Sequence, residues 1–321
     1  MTRQLPFIEA IREALREEMI HDDKVFLVGQ DIRGAIYPHT KGLVDEFGPD
    51  RVVDTPISES GMYGMASGAA LQGYRPVVDF MFGGFTYVTF SEATVTTGQQ
   101  YFLHGSKSNM PLVITAGVGA GMRLANDHSM AIHGTFAHHP GIKVAMPSTP
   151  YDAKGMFKAA IRDNSPVVIP WHMALMMDKG EVPDEDYVVP LGKADIKREG
   201  ADVTVVANSQ QLKFALQVAE KLDGEISVEV FDPRSFVPFD MDLLLTSLAK
   251  TSRLVIVDED WESGGFAATL SARVMEQGFD LLDAPVLRVT FPNMPIPGGV
   301  LEPRVMPNPE RIEAAIRAVM E

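Results

Sequence analysis

Cysteine is absent from all 321 positions, which removes disulfides, thiolate metal ligands and cysteine nucleophiles at once. Positive charge is in short supply. Against 43 acidic residues stand 28 basic ones, a net charge of −15, so a general nucleic-acid surface or an anionic membrane surface is excluded by repulsion. Long apolar runs are missing too. No stretch reaches the roughly 18 uninterrupted apolar residues of a membrane span. The first residues, MTRQLPFIEAIREALREEM, are amphipathic and acidic rather than signal-like, so the chain is expected to be cytoplasmic. No HExxH occurs and the histidines are scattered, which argues against transition-metal catalysis. There is neither a repeat nor a low-complexity tract.

What is present has the balance of a folded protein, with 45% apolar and 22% charged residues. The length suits two domains. Phe7, Ile8, Ile11, Leu15 and Met19 recur at helical spacing. The runs KVFLVGQD, RPVVDFMF, PLVITAG, IKVAMPS and PVVIPW read as short apolar strands between helices, the pattern of a parallel sheet covered on both faces. A helix enters through Pro150, with Ser148 or Thr149 available to cap it. From Met177 to Gly200 the periodicity stops, and ADVTVVAN opens a second alternating unit that ends in the helix PERIEAAIRAVME. The expected fold class is therefore α/β, as two αβα units with mainly parallel sheets. The expected boundaries are 1–180 and 201–321, joined by a linker at 181–200. GVGAGM at Gly117–Met122 has the wrong glycine spacing for a dinucleotide loop.

The most informative stretch runs from Asp54 to Phe82. Glu59 falls in the first turn of a helix, where a carboxylate is favoured by the helix dipole alone. That helix also carries Gly61, Gly64, Ser67, Gly68 and Ala69. Each glycine costs roughly 1 kcal/mol relative to alanine, and close packing against another subunit is the physical candidate to offset it.

VVDTPISESGMYGMASGAALQGYRPVVDFMFGGF resembles the β subunits of thiamine-diphosphate-dependent 2-oxo acid dehydrogenases. HHPGIKVAMPSTPYDAKGMFKAAIRDNSPVV and DEDWESGGFAATLSARVMEQGFDLLDAPVLRVTFPNMPIP extend the likeness over most of the chain in the same order. The resemblance implies a pyrimidine-binding domain followed by a transketolase C-terminal-like domain. It gives Glu59 the task of hydrogen-bonding a ring nitrogen of the cofactor's aminopyrimidine, so that the proton on the thiazolium carbon can be removed. Ile57, Met81 and Phe85 match the apolar wall around that ring. His128, in NDHSM, and His138, in HHPG, match two histidines of the family's substrate channel, His128 with a part in catalysis. The carbonyls of Leu112, Ala160, Asp163 and Ser165 match a structural potassium site. His104, His133, His139 and His172 are expected to be structural or surface groups. The acidic run at Asp258–Glu262 is a candidate surface for a basic docking domain, or else a solvated loop.

The family's GDG…N motif, which holds diphosphate through magnesium, does not occur in this chain. The resemblance therefore implies an α subunit that carries that motif and the magnesium, in an α2β2 assembly, together with a lipoyl acyltransferase as acceptor. A small 2-oxo acid or acetoin is the implied substrate. Several stretches depart from the pattern. GGFTYVTFSEATVTTGQQYFLHGSKSNM lacks the usual DQI and alanine-lysine run, HSM stands for HSQ, GVGAGMRLAND lacks the arginine-glycine-proline opening, and PWHMALMM lacks a glutamate. Two rival readings stay open: a transketolase-like or synthase-like carboligase subunit, and a non-catalytic regulatory paralogue.

Overall fold

The computed structural model describes residues 2–105 and 107–321. In chain order the strands of the first half are β1 (Thr2–Pro6), β2 (Val25–Gly29), β3 (Val52–Asp54), β4 (Arg75–Phe82), β5 (Val113–Val118), β6 (Lys143–Ala145), β7 (Val167–Val168), β8 (Trp171–His172) and β9 (Lys179–Pro183). Those of the second half are β10 (Asp195–Arg198), β11 (Val203–Ala207), β12 (Val228–Asp232), β13 (Ser235–Val237), β14 (Leu254–Trp261) and β15 (Leu287–Phe291). One sheet has the order β13-β6-β7-β5-β4-β2-β3, with β8 also paired to β5. All its pairs are parallel except β13 with β6. The other has the order β10-β12-β11-β14-β15, parallel except for β10. Two α/β domains are thus built on mostly parallel sheets, as the alternating pattern implies.

Helices cover the sheets because their apolar residues fall on one side. Phe7, Ile8, Ile11, Leu15 and Met19 of the helix Phe7–His21 are all buried, packed with Ala153, Met156, Phe157, Ala160 and Ile161 of the helix Pro150–Arg162. Two lysines lie within that packing. Lys154 and Lys158 are fully buried and reach Glu17 at 2.7 and 2.6 Å, which supplies the partner charge a buried ammonium requires. Thr149 caps the Pro150 helix by accepting from the Asp152 N–H, while the Ser148 hydroxyl accepts from the Ser209 N–H instead.

The two halves share an apolar core. Tyr63, Phe80, Ile132 and Phe136 belong to one buried cluster with Phe231, Phe236, Leu254 and Phe266. The aperiodic segment between the halves is more ordered than its sequence predicts. β9 pairs with β1 at its start, and β10 pairs with β12 near its end. Both are short and mostly polar, and each is held by backbone pairing to a partner far away in the chain, so neither leaves a periodic trace. Among the described residues, no helix is long and apolar enough to cross a membrane.

Candidate active site

The site forms at the C-terminal ends of neighbouring parallel strands, where open α/β sheets present their ligands. The helix Glu59–Leu71 follows β3, the segment Gly83–Thr89 follows β4, and a glycine-rich loop leads from β5 to the short helix Asn126–Ser129. Glu59 is the first residue of its helix, after Ser58 at the cap position, and its side chain is half-exposed. Met62, Tyr63, Ala66, Ser67 and Ala70 form the buried face. Gly61, Gly64 and Gly68 lie on the exposed face with Met65 and Leu71. A Cβ at Gly64 or Gly68 would meet nothing within 4 Å. The small-residue face is thus open within this chain. Ile57, just before the helix, is 83% exposed.

At the end of β4 the strand bulges. Its register against β5 shifts between Asp79 and Phe82, and Met81 adopts φ 62°, a conformation costly for a side chain other than glycine. The Asp79 carboxylate holds the bulge by accepting from the Met81 N–H at 2.8 Å and pairing with His39 Nε2 at 2.6 Å. The bulge delivers Phe82 and Phe85 to the ring of His128. The Phe82 and His128 centroids are 4.3 Å apart, those of Phe85 and His128 5.6 Å, and both contacts are edge-to-face. Gly84 makes this approach sterically tolerable, because a Cβ there would lie 2.5 Å from the Asp127 carbonyl oxygen. Ser60 Oγ donates to the Val88 carbonyl at 3.1 Å, tying the first turn of the Glu59 helix to the segment that carries Phe85.

Other predicted positions lie elsewhere. His138 is exposed, precedes β6, and meets His139 rather than the ring cluster, with centroids 5.2 Å apart. Leu112, Ala160, Asp163 and Ser165 gather near the N-terminal ends of β5 and β7, away from Glu59. There the Leu112 carbonyl accepts from the Val167 N–H and that of Ala160 from the Asp163 N–H. The Arg75 guanidinium donates to the carbonyls of Ile161 and Asp163 at 3.0 and 2.9 Å, and Ser165 N–H donates to Asp163 Oδ1. A potassium ion there would share the Leu112, Ala160 and Asp163 carbonyls with donors already in place, beside the Arg75 guanidinium.

The acidic run at Asp258–Glu262 corrects an expectation. Asp258, Glu259 and Asp260 are all buried, so these three form neither a docking patch nor a solvated loop. They face two fully buried histidines across the domain junction: His133 Nε2 lies 2.8 Å from Asp258, and His172 Nε2 lies 3.0 Å from Glu259. His133 and His172 are thus structural groups of the interior. Burial would push the His133 imidazole down, but the charge and hydrogen bond of Asp258, with the charges of Asp260 and Glu259, hold it above its ordinary value. His133, Asp258 and Asp260 converge closely enough to suggest a metal site. However, Asp258 accepts from the Ala267 N–H, and Asp260 from those of Trp261 and Phe266, so the carboxylates are largely spent on capping the helix Phe266–Gly278. Nothing in the sequence joins His133 to a residue 125 positions away. The departure in PWHMALMM, which holds His172, was the one local signal available.

Residues 3–177 match the transketolase pyrimidine-binding domain, and residues 192–312 match the transketolase C-terminal domain. The β subunit of acetoin:2,6-dichlorophenolindophenol oxidoreductase from Bacillus subtilis is 43% identical, over 97% of this chain and 96% of its own length. The β subunits of 2-oxoisovalerate dehydrogenase and of the pyruvate dehydrogenase E1 component from the same organism are each 39% identical over 99% of both chains. The chain belongs to this family of dehydrogenase β subunits. A split-gene transketolase, solved as an inactive beta4 tetramer, superposes with a TM-score of 0.81 at 22% identity over 98% of each chain, a likeness of fold. Membership makes the chain a thiamine-dependent oxidoreductase subunit that works with an α subunit.

Proposed function

We propose that this β subunit contributes the pyrimidine half of a thiamine-diphosphate site in an enzyme that cleaves a 2-oxo acid or acetoin and passes the fragment to lipoamide. The observation that carries the reading is Glu59 at a helix start, next to a highly exposed apolar Ile57 and on a helix bonded to the Phe85 segment. These residues fit the group. A half-exposed carboxyl can share a proton with a ring nitrogen, and Ile57, Met81 and Phe85 offer an apolar wall that lacks its cover in the single chain. When bound, thiamine diphosphate supplies the nucleophilic carbon and the electron sink for breaking a bond beside a keto carbon. Glu59 holds the proton at its carboxyl. Met81 and Phe85 exclude water, and His128 presents its imidazole to the substrate's polar end.

With no GDG motif in the sequence, magnesium and diphosphate belong to the α subunit. The open face of Gly61, Gly64 and Gly68 supports an assembly surface, and α2β2 is the assembly we infer. The reading needs no potassium. Its test is the reconstituted αβ pair. Calorimetry should show thiamine diphosphate binding, and pyruvate, 2-oxoisovalerate or acetoin should acylate an added lipoyl domain. A pair that fails to bind the cofactor would point to a regulatory paralogue, and turnover only with an aldehyde or sugar acceptor would point to a carboligase.

A further inference from the structure

His128 does not stand alone. The Asp127 carboxylate lies 3.2 Å from His128 Nδ1, and an ionised carboxylate only accepts hydrogen bonds. With the proton on Nδ1 this contact is attractive and with the lone pair there it is repulsive, so the Nδ1–H tautomer is the favoured one. Nε2 is left as the lone-pair nitrogen and has no hydrogen-bond partner among the described residues. The ring is wedged edge-to-face against Phe82 and Phe85, so it cannot turn freely to exchange its two nitrogens. The backbone beneath is equally constrained. Ala125 enters the turn at φ 67°, Asn126 Oδ1 accepts from the Ile296 N–H at 3.0 Å, the Ser129 carbonyl accepts from the Gly119 N–H, and the Asp127 carbonyl abuts Gly84.

We propose that Asp127 is the positioning residue for His128, fixing it as the Nδ1–H tautomer with Nε2 turned to the substrate. The inference rests on the reading that His128 lines the substrate channel. In the step it serves, the hydroxyl proton of acetoin passes to Nε2 while Nδ1 keeps its own, as the carbon–carbon bond beside the keto carbon breaks, acetaldehyde leaves and the bonding pair stays with the acyl fragment. The imidazolium that forms is paired with the Asp127 carboxylate and afterwards gives the Nε2 proton to water, so His128 itself is neither oxidised nor reduced. The hydrogen bond from His128, ahead of nearby backbone N–H groups, holds the Asp127 carboxyl below the usual carboxylate range, so the partner stays charged at neutral pH. The group two positions on, Met130, is apolar and cannot take over this role.

The test uses the reconstituted αβ enzyme with thiamine diphosphate and magnesium turning over acetoin, comparing Asp127→Asn, Asp127→Glu, His128→Ala and the double variant Asp127→Asn/His128→Ala. Asp127→Asn is expected to lower kcat/KM on the order of tenfold and to move the acid limb of its pH profile to lower pH. Asp127→Glu should restore part of the loss, and the double variant should be no worse than His128→Ala. If His128→Ala is impaired but Asp127→Asn leaves rate and profile unchanged, or if the two losses multiply, the positioning role is overturned. If His128→Ala is as active as the parent enzyme, the channel reading beneath it fails as well.

Discussion

Two clusters of acids and histidines in this molecule look alike on paper and differ in almost every physical respect. The junction cluster, His133 and His172 with Asp258, Glu259 and Asp260, is buried, and its members pair with one another, with Gln211 or with backbone N–H groups, His133 Nδ1 alone being left without a partner among the described residues. The mouth cluster, Glu59, Asp127 and His128 with Phe82 and Phe85, is half-open and has bonding capacity to spare. The buried cluster has the shifted titrations that usually draw attention to an active site. Yet its groups hold two domains together and are closed to any outside partner, whereas the mouth cluster is open to one. Access to a ligand, more than unmet valence, separates the two.

The largest expected effect lies at the mouth. Glu59→Gln should cost about a thousandfold in turnover of the αβ enzyme, within the range of general acid–base contributions, with the thermal midpoint unchanged. Retained turnover would erase the contrast. His133→Ala should do the opposite. Leaving Asp258 buried without its partner should cost about 3–5 kcal/mol of stability in denaturant titration, while activity per folded molecule stays within about twofold. An activity loss without destabilisation would move the junction cluster into the catalytic machinery.

The smallest effect concerns a third acidic group, near the linker. Asp232 is pushed up to about 7, first by burial and then by the charge of Asp152, against the pull of Lys197. Because its folded value is raised above the ordinary 3.8, its contribution is fully present below that value and is lost as pH rises through about 7. Asp232→Asn should flatten that decline and be the more stable form at pH 8, by about 1–2 kcal/mol after allowing for coupling to Lys197 and Arg234. A decline over the same pH range that survives the substitution would assign the titration to another group.

The outline of both sheets was legible because their central strands are apolar runs and their helices show one buried stripe, as in Phe7–His21. The place of Glu59 at the start of a glycine-studded helix was legible from local pattern, whereas the parts proposed for Phe85 and His128 come from the resemblance alone. What stayed hidden depends on geometry between distant residues. The φ of Met81, the clamp of Phe82 on His128 and the pairing of His172 with Glu259 have no local pattern to reveal them. Asp127 has no local signal either, and its contact with the neighbouring ring is visible only in three dimensions.

β13 carries one more consequence. It is contributed by the second half of the chain, yet it closes the edge of the first half's sheet, running antiparallel to β6. The two family-defined domains are therefore stitched rather than strung. A fragment ending in the linker would leave β6 with a raw backbone edge of the kind that invites aggregation. Ribosomal synthesis must reach Val237 before the first sheet can be completed.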